Sequence, residues 1–521
     1  MPLKATHPLK LKASLFLFSG LLISCGSGNA SAPAPTPPMV ENKAPTFTSS
    51  IDLSLNENGD LTYAVEASDP ENDTVTITLL DGGDSALFIF DSSASGGDQL
   101  NFIDPPNFER PQDEDQDNIY DLTFRLDDGQ GNAVDQSITI TVLDVAEPFS
   151  AKTISSGFTQ PVYVTNLPGV GDRSVVLEKG GRARLVSSDG TIEPVDFLDV
   201  SATISTAGEG GLLGIAFAPD FETSGVFYVN VTNAVGDTEI RRYTTVSGNL
   251  EIGDLATGDI VLTIAQPAGN HNAGWLDFDE NGFLIVPTGD GGGAGDPNNL
   301  AQNTSELLGK ILRLDVTGDD FPADGLRDYA IPSGNRFAGN PTAGREEIFA
   351  VGLRNPFRAT FDPENGDLIF ADVGQGAREE VNRLPINDTS RNFGWNIVEG
   401  TQDFSGTNNS SLTPPVTEYL HGSGPKQGNS ITGGVVYTGP IDALFGQYVF
   451  GDFISGNLWA VPSTSLVDGQ TLSSDEYKRL NDDFGLNDSA FGQMTSFGLR
   501  ANDKALLITT INGNLYEVTP D

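Results

Sequence analysis

The sequence predicts an all-β protein in which a small β-sandwich precedes a six-bladed β-propeller. Short apolar runs that alternate with polar residues recur along the chain, and turns rich in glycine, aspartate and asparagine separate them. After about residue 150 no convincing long amphipathic helix interrupts this pattern. The 521 residues exceed what one ordinary core holds, so we expect at least two domains.

The charge balance excludes one class of partner. The chain carries 72 acidic and 28 Lys or Arg residues, a formal net charge of −44. Such a surface repels nucleic acid and anionic lipid, so polyanionic partners are not expected. An acidic surface also suits salty surroundings or divalent cations, although such a charge excess is most often a plain solvated face.

Residues 1–24 are predicted to be a bacterial lipoprotein signal peptide. Lysines precede the apolar run 13–23, which is too short to span a bilayer as a mature helix. The run ends in "LISC", and Cys25 is the only cysteine. This resembles a lipobox, which implies lipidation of Cys25, and Gly26 after it implies anchoring in the outer membrane of the cell envelope. An ordinary signal peptide with an incidental cysteine is the alternative.

Residues 25–43 are rich in Pro, Ser and Ala, and we expect them to form an extended tether. Residues 44–148 then show alternating strands such as "TVTITLL", "YDLTFRL" and "SITITVL" between acidic turns, which predicts a β-sandwich. Its motifs resemble a cadherin repeat: "APTF", "ENG", "DPEND", "FERP" and "LDVAEP".

Carboxylates cluster in the turns of this unit, and Ca²⁺ is a hard cation that collects six to eight oxygens. The resemblance implies Ca²⁺ ligands at Glu57, Asp69, Glu71, Glu109, Asp127, Asp144 and Glu147. Ala146 stands where such repeats carry Asn, which is a departure from a full multi-ion junction. Bound Ca²⁺ that stiffens a spacer and ordinary acidic turns are therefore both open.

Residues 150–521 are predicted to be the propeller. Strands such as "GVFYVNVT" and "GQYVFGDF" recur with Gly and Asp turns. With four strands per blade and about 60 residues for each blade, six blades fit. We expect the last segment to close the ring by joining a blade that begins near residue 160. A large sandwich or a β-helix is the structural alternative.

Eight motifs follow one another in the order seen in a single family: "GEGGLLGIAFAPDF", "HNAGWLDF…TGDGG", "AQNTSELLGKILRLDV", "EEIFAVGLRNPFRATFD", "ADVGQGAREEVNRL", "NFGWNIVEG", "SITGGVVYTG" and "YVFGDFISGNLWAV". They resemble the soluble glucose/sorbosone (aldose) dehydrogenase family. That resemblance implies a six-bladed propeller that uses pyrroloquinoline quinone (PQQ) with Ca²⁺, and hedgehog-interacting proteins carry a related propeller.

His271 is the candidate catalytic base. Oxidation of a sugar at its anomeric carbon needs a base for the hydroxyl proton, and an imidazole titrates near neutrality. Asp290, which ends the same hairpin, is the candidate partner that fixes the tautomer of the ring. A structural role for a histidine before a glycine turn is the alternative when the motif series is set aside.

The resemblance implies further site residues. Arg354, in "GLRNP", matches the arginine that contacts the reactive quinone oxygen, and Asn355 matches its neighbour in the cofactor pocket. Arg354 in a salt bridge between blades is the alternative. Glu209 matches a position at the mouth of the substrate pocket, with a turn-capping role equally open.

The metal residues are also implied by resemblance. The loop "DVGQG" matches the segment whose backbone carbonyls hold the catalytic Ca²⁺, which indicates Gly374 and Gln375. Glu379 and Glu380 match an acidic pair that serves a structural Ca²⁺.

The chain departs from the family at several cofactor positions. Phe357 stands where characterised members carry Gln, and Thr438 and Asn457 stand where many relatives carry Arg. The three carboxylates of PQQ need cationic partners, and Lys426 and Arg358 are the candidates to supply them. His421 matches a histidine near the same channel, with a surface-loop role as the alternative.

Three functions are compatible with these observations. The first is a membrane-anchored, PQQ-dependent oxidoreductase that converts an aldose to its lactone. The second is a binding propeller without the quinone that recognises carbohydrate or protein, and the third is a Ca²⁺-dependent lactone or ester hydrolase. Because the chain lacks a haem attachment motif, electrons from the first activity are expected to pass to a separate acceptor.

Overall fold

The structure is a computed structural model that describes residues 41–57, 59, 61–92, 97–108, 111–145, 149–484 and 492–520. Strands are the main regular secondary structure of these residues. One short α-helix, α1, spans Phe221–Ser224. No helix in this part of the chain is long and apolar enough to cross a membrane.

The N-terminal unit contains three sheets, with strand orders β2-β9-β8-β5, β3-β7-β6 and β1-β4. Its strands are β1 (Thr46–Phe47), β2 (Asp52–Asn56), β3 (Tyr63–Ala64), β4 (Ala67–Ser68), β5 (Thr76–Leu79), β6 (Phe88–Asp91), β7 (Gln99–Phe102), β8 (Ile119–Asp127) and β9 (Ala133–Leu143). A 3₁₀ turn spans Gly83–Leu87.

The two larger sheets contribute to one apolar core. Along β9, Ile138, Ile140 and Val142 are buried while the residues between them are more exposed, as the alternation of a strand with one solvated face requires. The likeness of this unit to a cadherin repeat stays a prediction.

The rest of the chain forms six sheets of four or five strands. We number them as blades. The first strand is β10 (Phe149–Ser156); blade 1 is β11 (Pro161–Asn166), β12 (Ser174–Glu178), β13 (Arg182–Val186) and β14 (Leu198–Asp199); blade 2 is β15 (Leu212–Phe217), β16 (Val226–Thr232), β17 (Thr238–Thr245) and β18 (Gly253–Ile264); blade 3 is β19 (Asp277–Phe278), β20 (Leu284–Thr288), β21 (Lys310–Leu314) and β22 (Ile348–Val351).

Blades 4 and 5 carry additions to this pattern. Blade 4 is β23 (Pro356–Phe361), β24 (Leu368–Asp372), β25 (Arg378–Leu384) and β28 (Thr417–Leu420), with the hairpin β26 (Val398–Glu399) and β27 (Gln402–Asp403) inserted before β28; blade 5 is β29 (Ile431–Val436), β30 (Gln447–Asp452), β31 (Leu458–Pro462) and β33 (Lys478–Arg479), while β32 (Leu472–Ser473) extends blade 4; blade 6 is β34 (Met494–Leu499), β35 (Leu506–Thr510) and β36 (Asn514–Pro520). Short 3₁₀ turns lie at Ser201–Thr203, Asp442–Leu444, Ser463–Ser465 and Ser474–Glu476.

The blades form a ring around a centre lined by their first strands. β11, β15, β23, β29 and β34 contact first strands of neighbouring blades, and β20 contacts β23 at the third junction. Apolar clusters fill the spaces between blades, for example between blades 2 and 3 and between blades 5 and 6. Strands buried on both faces therefore appear as continuous apolar runs, such as "SVVLE" in β12.

The ring closes by pairing the first strand of the propeller with the last. β10 pairs antiparallel with β36 and forms the outer strand of blade 6. The sequence predicted that the last segment closes the ring by joining a blade that begins near residue 160, whereas the last strand pairs with Phe149–Ser156. Residues from Pro161 onward instead begin blade 1, because Phe149–Ser156 already supplies the fourth strand of blade 6.

Candidate active site

A cavity of about 410 Å³ lies where the first strands of blades 2 to 5 begin. This volume falls within the usual range for small-molecule sites. Its walls come from four blades, since the turns that precede first strands gather at one end of a propeller. The lining residues are Glu209, Asn270, His271, Asn272, Ala273, Arg354, Asn355, Phe357, Val373, Gly374, Ser430, Ile431 and Phe453.

His271 enters this cavity from an unusual backbone conformation. Its φ is +58°, in the left-handed region that non-glycine residues seldom occupy. The His271 N–H donates to Oε2 of Glu209 at 2.6 Å, and the side chain is almost wholly buried. Left-handed residues that persist are held by their surroundings and cluster at functional sites. Glu209 thus positions His271 through its backbone in addition to lining the cavity.

Asp290 holds the imidazole ring. Its Oδ1 lies 2.6 Å from His271 Nδ1 and also accepts the Gly292 N–H at 2.8 Å, while its Oδ2 accepts the Trp395 indole N–H at 2.8 Å. A carboxylate oxygen accepts hydrogen bonds and does not donate them. The ring nitrogen that faces Asp290 Oδ1, Nδ1, therefore carries the proton. His271 Nε2 is then the nitrogen free to accept a proton from a ligand. The structure brings together the pair predicted for proton transfer.

Arg354 lines the same cavity. Its backbone N–H donates to Asp372 Oδ2 at 2.9 Å and its Nη1 donates to the Val373 carbonyl at 2.8 Å. Its Nε is buried without a partner in the described protein, so the guanidinium retains donor capacity for a ligand. The predicted salt-bridge alternative is not seen, since Arg354 has no ion pair among the described residues.

Asn355 connects the segments that carry the arginine and the histidine. Its N–H donates to Asp372 Oδ1 at 2.6 Å, and its own Oδ1 accepts the Ala273 N–H at 2.9 Å. Burial raises the pKa of Asp372 to about 7, because the two N–H donors and the Arg354 charge offset only part of the desolvation. Asp372 thus aligns the Arg354–Asn355 segment from behind the cavity wall.

Asn272 provides the test of whether a polar cofactor fits. Its side chain is 4% exposed, it lines the cavity, and both amide atoms are buried without a hydrogen-bond partner in the described protein. A buried amide without partners is costly, so a ligand or ordered water must satisfy it. Phe357 and Phe453 add aromatic walls. Donors, an orphaned amide and aromatic walls together fit a planar quinone such as PQQ.

The predicted calcium loop has its own internal partners. Backbone N–H groups of residues 375–378 all donate to Glu399 Oε1 at 2.8 to 3.2 Å. Burial alone would raise the pKa of Glu399, but these donors outweigh it and lower that pKa. Gly374 lines the cavity, and a Cβ there would lie 1.7 Å from the Arg378 carbonyl oxygen. Gln375 does not line the cavity, and its side-chain oxygen accepts the Gly295 N–H.

The predicted structural calcium pair also has protein partners. Glu379 accepts the N–H groups of Gly374 and Ile431 and contacts His421 Nε2 at 2.7 Å. Glu380 accepts from the Gly400 N–H and the Asn382 side chain. A Ca²⁺ role for either carboxylate stays a prediction. His421 binds Glu379 behind the cavity wall, so the structure does not place it in the cavity.

The structure contradicts the prediction that Lys426 and Arg358 face the cofactor. Lys426 is half-buried and donates to the Asp475 carbonyl, away from the cavity lining. Arg358 is buried among first strands, where it donates to carbonyls of Thr495 and Val162 across the centre of the ring. The Arg358 guanidinium lies 4.1 Å from the ring centre of Phe357, so it packs on this lining residue while its donors are used by backbone carbonyls.

The other departures from the family do not line the cavity either. Asn457 is buried and donates to the carbonyls of Gly424 and Gln427, and Thr438 is half-buried in blade 5. Arg354 is therefore the one cationic side chain among the described residues that line the cavity.

The predicted calcium ligands that lie within the described N-terminal residues are not among the carboxylates that cluster there, and calcium binding by them stays a prediction. Asp69 and Glu57 accept backbone N–H groups, Glu71 accepts the Lys43 N–H, and Asp127 and Asp144 are exposed. In the described ranges, the carboxylate group whose oxygens lie within 4.8 Å of one another comprises Asp113, Asp115 and Asp117 instead. Backbone N–H groups thus use part of the acceptor capacity of Glu57, Asp69, Glu71 and Asp127. Glu109, Glu147 and Cys25 lie outside the described residues.

Sequence reasoning missed Asn272, Asp372, Trp395 and Phe453. Asn272 adjoins the candidate base in the quoted motif, and Trp395 lies in the motif "NFGWNIVEG", so position within the motifs was the available signal. Their contacts join segments far apart in the chain, and no local pattern reports such contacts.

The fold and the cavity together define a six-bladed propeller with a buried His–Asp pair beside a single arginine in its central pocket. The family model "Glucose / Sorbosone dehydrogenase" matches residues 158–479. The chain belongs to this family, which confirms the resemblance found in the sequence.

Two curated proteins, one from a plant and one from human, are similar to this chain. HIPL1 protein of Arabidopsis thaliana is 35% identical over 288 residues, which cover 50% of this chain and 40% of that protein. The human hedgehog-interacting protein is 28% identical over 323 residues, covering 58% of this chain and 42% of its own. The chain thus spans less than half the length of these curated relatives.

A solved structure with a similar fold is the PQQ-bound form of aldose sugar dehydrogenase from Streptomyces coelicolor. It aligns with a TM-score of 0.53 at 22% identity, over 72% of this chain and 99% of the other. At that identity the likeness shows the fold, and the predicted all-β six-bladed propeller is confirmed.

Proposed function

We propose that this protein is a quinoprotein oxidoreductase that oxidises an aldose sugar at its anomeric carbon to the lactone. One observation carries the proposal: Asp290 holds the His271 ring at 2.6 Å in the same cavity that Arg354 lines. A base with a fixed tautomer beside an unsatisfied cation is the combination that oxidation of a sugar hydroxyl requires.

Each of the four polar residues at the site has a separate role in the proposed reaction. His271 Nε2 takes the proton of the anomeric hydroxyl, and Asp290 stabilises the imidazolium that results. Arg354 offers its free N–H groups to an oxygen on which negative charge develops. Glu209 holds the backbone of His271, and its position at the cavity supports a contact with sugar hydroxyls.

Bound PQQ would supply a two-electron acceptor for the hydride that leaves the anomeric carbon. Arg354, Asn355 and the Asn272 amide would hold its polar edge, and Phe357 and Phe453 would contact its ring faces. Because Arg354 is the one cation among the described lining residues, Ca²⁺ near Gly374 would supply the further positive charge. Electrons would then pass to a separate acceptor, and lipidation at Cys25 would anchor the enzyme in the outer membrane.

Titration of the purified apoprotein with PQQ in Ca²⁺, followed by dye reduction with a panel of sugars, tests the proposal. We expect saturable quinone binding and turnover with at least one aldose. His271→Ala should abolish turnover and keep the quinone affinity, because the ring is assigned to proton transfer. Absence of turnover in the reconstituted wild type would overturn the proposal.

A binding propeller without the quinone is the second candidate. The replacement of the expected glutamine by Phe357 and the single lining cation favour it, and so does the similarity to the hedgehog-interacting protein. Quinone titration separates the two, since this candidate requires that PQQ does not bind even at high Ca²⁺.

A further inference from the structure

Trp395 contacts both of the groups to which the proposed function assigns chemistry. Its indole N–H donates to Asp290 Oδ2 at 2.8 Å, and the Arg354 guanidinium carbon lies 5.6 Å from its ring centre. The side chain is 4% exposed, so water does not replace either contact. Asp290 and Trp395 are 105 residues apart in the chain and come from different blades.

Trp395 is fixed through both its backbone and its ring. The Trp395 backbone N–H donates to the Gly352 carbonyl at 3.0 Å, and the Trp395 carbonyl accepts from the Gln302 side chain. The Phe404 ring lies 4.8 Å from the indole, tilted by 37°. A tryptophan fixed in this way offers its N–H along one direction only.

The hydrogen bond acts on the carboxylate of Asp290. Asp290 Oδ1 accepts from both His271 and Gly292, whereas Oδ2 accepts from the indole N–H. Without that donor, Oδ2 would be buried and unsatisfied, and the carboxylate could turn to place either oxygen toward the imidazole. Either carboxylate oxygen would accept from Nδ1–H, so the proton stays on Nδ1. Loss of the indole donor would leave the carboxylate free to turn, which weakens its hydrogen bond to the imidazole and loosens the orientation of the His271 ring.

We infer that Trp395 is a positioning residue that holds the Asp290 carboxylate, and through it the His271 ring, in the geometry for proton transfer. The inference rests on the proposed function for its catalytic consequence. Its structural content, the control of the hydrogen bond between Asp290 and the His271 ring, stands apart from turnover and can be measured without cofactor or sugar.

Trp395→Phe removes the N–H and keeps an aromatic ring next to Arg354. A hydrogen bond to a charged group is worth about 1.5 to 3 kcal/mol, so kcat should fall about tenfold to hundredfold. KM should stay nearly unchanged, because the variant leaves the lining residues in place. Trp459→Phe is the matched control, since Trp459 is fully buried and donates to the Pro425 carbonyl at 2.8 Å, away from the cavity.

The readout that does not depend on turnover is ¹⁵N NMR of the histidines in the apoprotein. The chain has three histidines, so the His271 signals can be assigned with a His421→Gln variant. Wild type and Trp459→Phe should show the same Nδ1–H signal of His271, shifted by its hydrogen bond to Asp290, whereas Trp395→Phe should broaden that signal or move it toward the position of a free imidazole. An unchanged Nδ1–H signal in Trp395→Phe would overturn the inference, even if kcat falls.

A double-mutant cycle with Asp290→Asn separates positioning from general stability. If the indole acts through Asp290, Trp395→Phe should cost little further kcat in the Asp290→Asn background. Full additivity would overturn the inference.

A second measurement applies if Trp395→Phe does not fold. Asp290→Asn should then move the indole N–H signal of Trp395 and leave the signals of Trp275 and Trp459 in place, and no movement would count against the inference. If the wild type shows no turnover, the proposed function fails while the NMR measurement of the His271 Nδ1–H signal still decides the role of Trp395.

Discussion

Asp290→Asn is the substitution with the most direct consequence for the proposed chemistry. Asp290 accepts three N–H groups, from the His271 ring, Gly292 and Trp395. An amide has one acceptor oxygen and an NH₂ group, so in either orientation it sets its own N–H groups against one of these donors. Leaving a buried donor unsatisfied costs about 1 to 3 kcal/mol of folding stability.

The loss of activity should be larger than the loss of stability. If the NH₂ group faces the imidazole, His271 carries its proton on Nε2 and is no longer a base toward the ligand. If the oxygen faces it, the tautomer survives but the negative charge that stabilises the imidazolium is gone. General base catalysis contributes about 10² to 10⁴ in rate, so we expect kcat to fall by at least a hundredfold.

Steady-state dye reduction by the PQQ-reconstituted variant measures this loss, and thermal unfolding measures the stability cost. Asp279→Asn is the matched control: Asp279 is also buried in blade 3 and accepts two backbone N–H groups at 2.9 Å, but in a turn away from the cavity. The control should lose stability and keep kcat. An Asp290→Asn enzyme that retains half of the wild-type kcat would refute the assignment of the pair.

Three further predictions concern the ring, a buried acid and a tight turn. Truncation before Asn514 removes β36, which leaves β10 without its strand partner and β35 paired only with β34, so the near-UV circular dichroism of the native ring should be lost; a native spectrum would contradict the closure. Burial places the pKa of Asp372 at about 7, above its ordinary 3.8, so its stabilising contribution is present below pH 4 and is lost as pH rises to 7. The difference in Tm between wild type and Asp372→Asn should therefore change across this window, and parallel curves would be the contrary result. Gly208 has a φ of +59° and a Cβ there would lie 2.0 Å from the Gly269 carbonyl oxygen, whereas Gly171 has a φ of +57° and open space. Gly208→Ala should lower Tm and kcat more than Gly171→Ala, and equal effects would show that φ alone matters.

The sequence predicted the strands well because burial on two faces leaves a local trace. Runs such as "SVVLE" in β12 and "IFAV" in β22 are apolar because neighbouring blades cover both sides. The ring-closing strand β10 was harder to place, because "FSAKTISS" is a partly exposed outer strand and its strand partner β36 lies at the far end of the chain.

Within the site, too, contacts between residues close in the sequence could be predicted, whereas contacts between distant segments could not. His271 and Asp290 are 19 residues apart on one hairpin, so their proximity could be predicted. Arg358 was wrongly assigned because its neighbour Phe357 takes the cavity-facing position, and the sequence does not report which way an inner strand turns. Trp395 resembles any core tryptophan in the sequence, and only the fold brings its N–H to Asp290.

Charge decides whether the cavity can hold PQQ. The quinone brings three carboxylates to a chain of formal charge −44, and Arg354 is the one cation among the described lining residues. Repulsion at short range in a partly buried cavity is weakly screened by salt, so one arginine does not balance the ligand. A divalent cation near Gly374 would restore the balance, and removal of Ca²⁺ by a chelator should weaken PQQ binding at least about tenfold, or 1.4 kcal/mol. Fluorescence titration with and without chelator, with Lys426→Ala as a control that should bind normally, measures the effect. Equal affinity under both conditions would mean that the cavity neutralises the quinone by other means, and the charge argument for Ca²⁺ would fail.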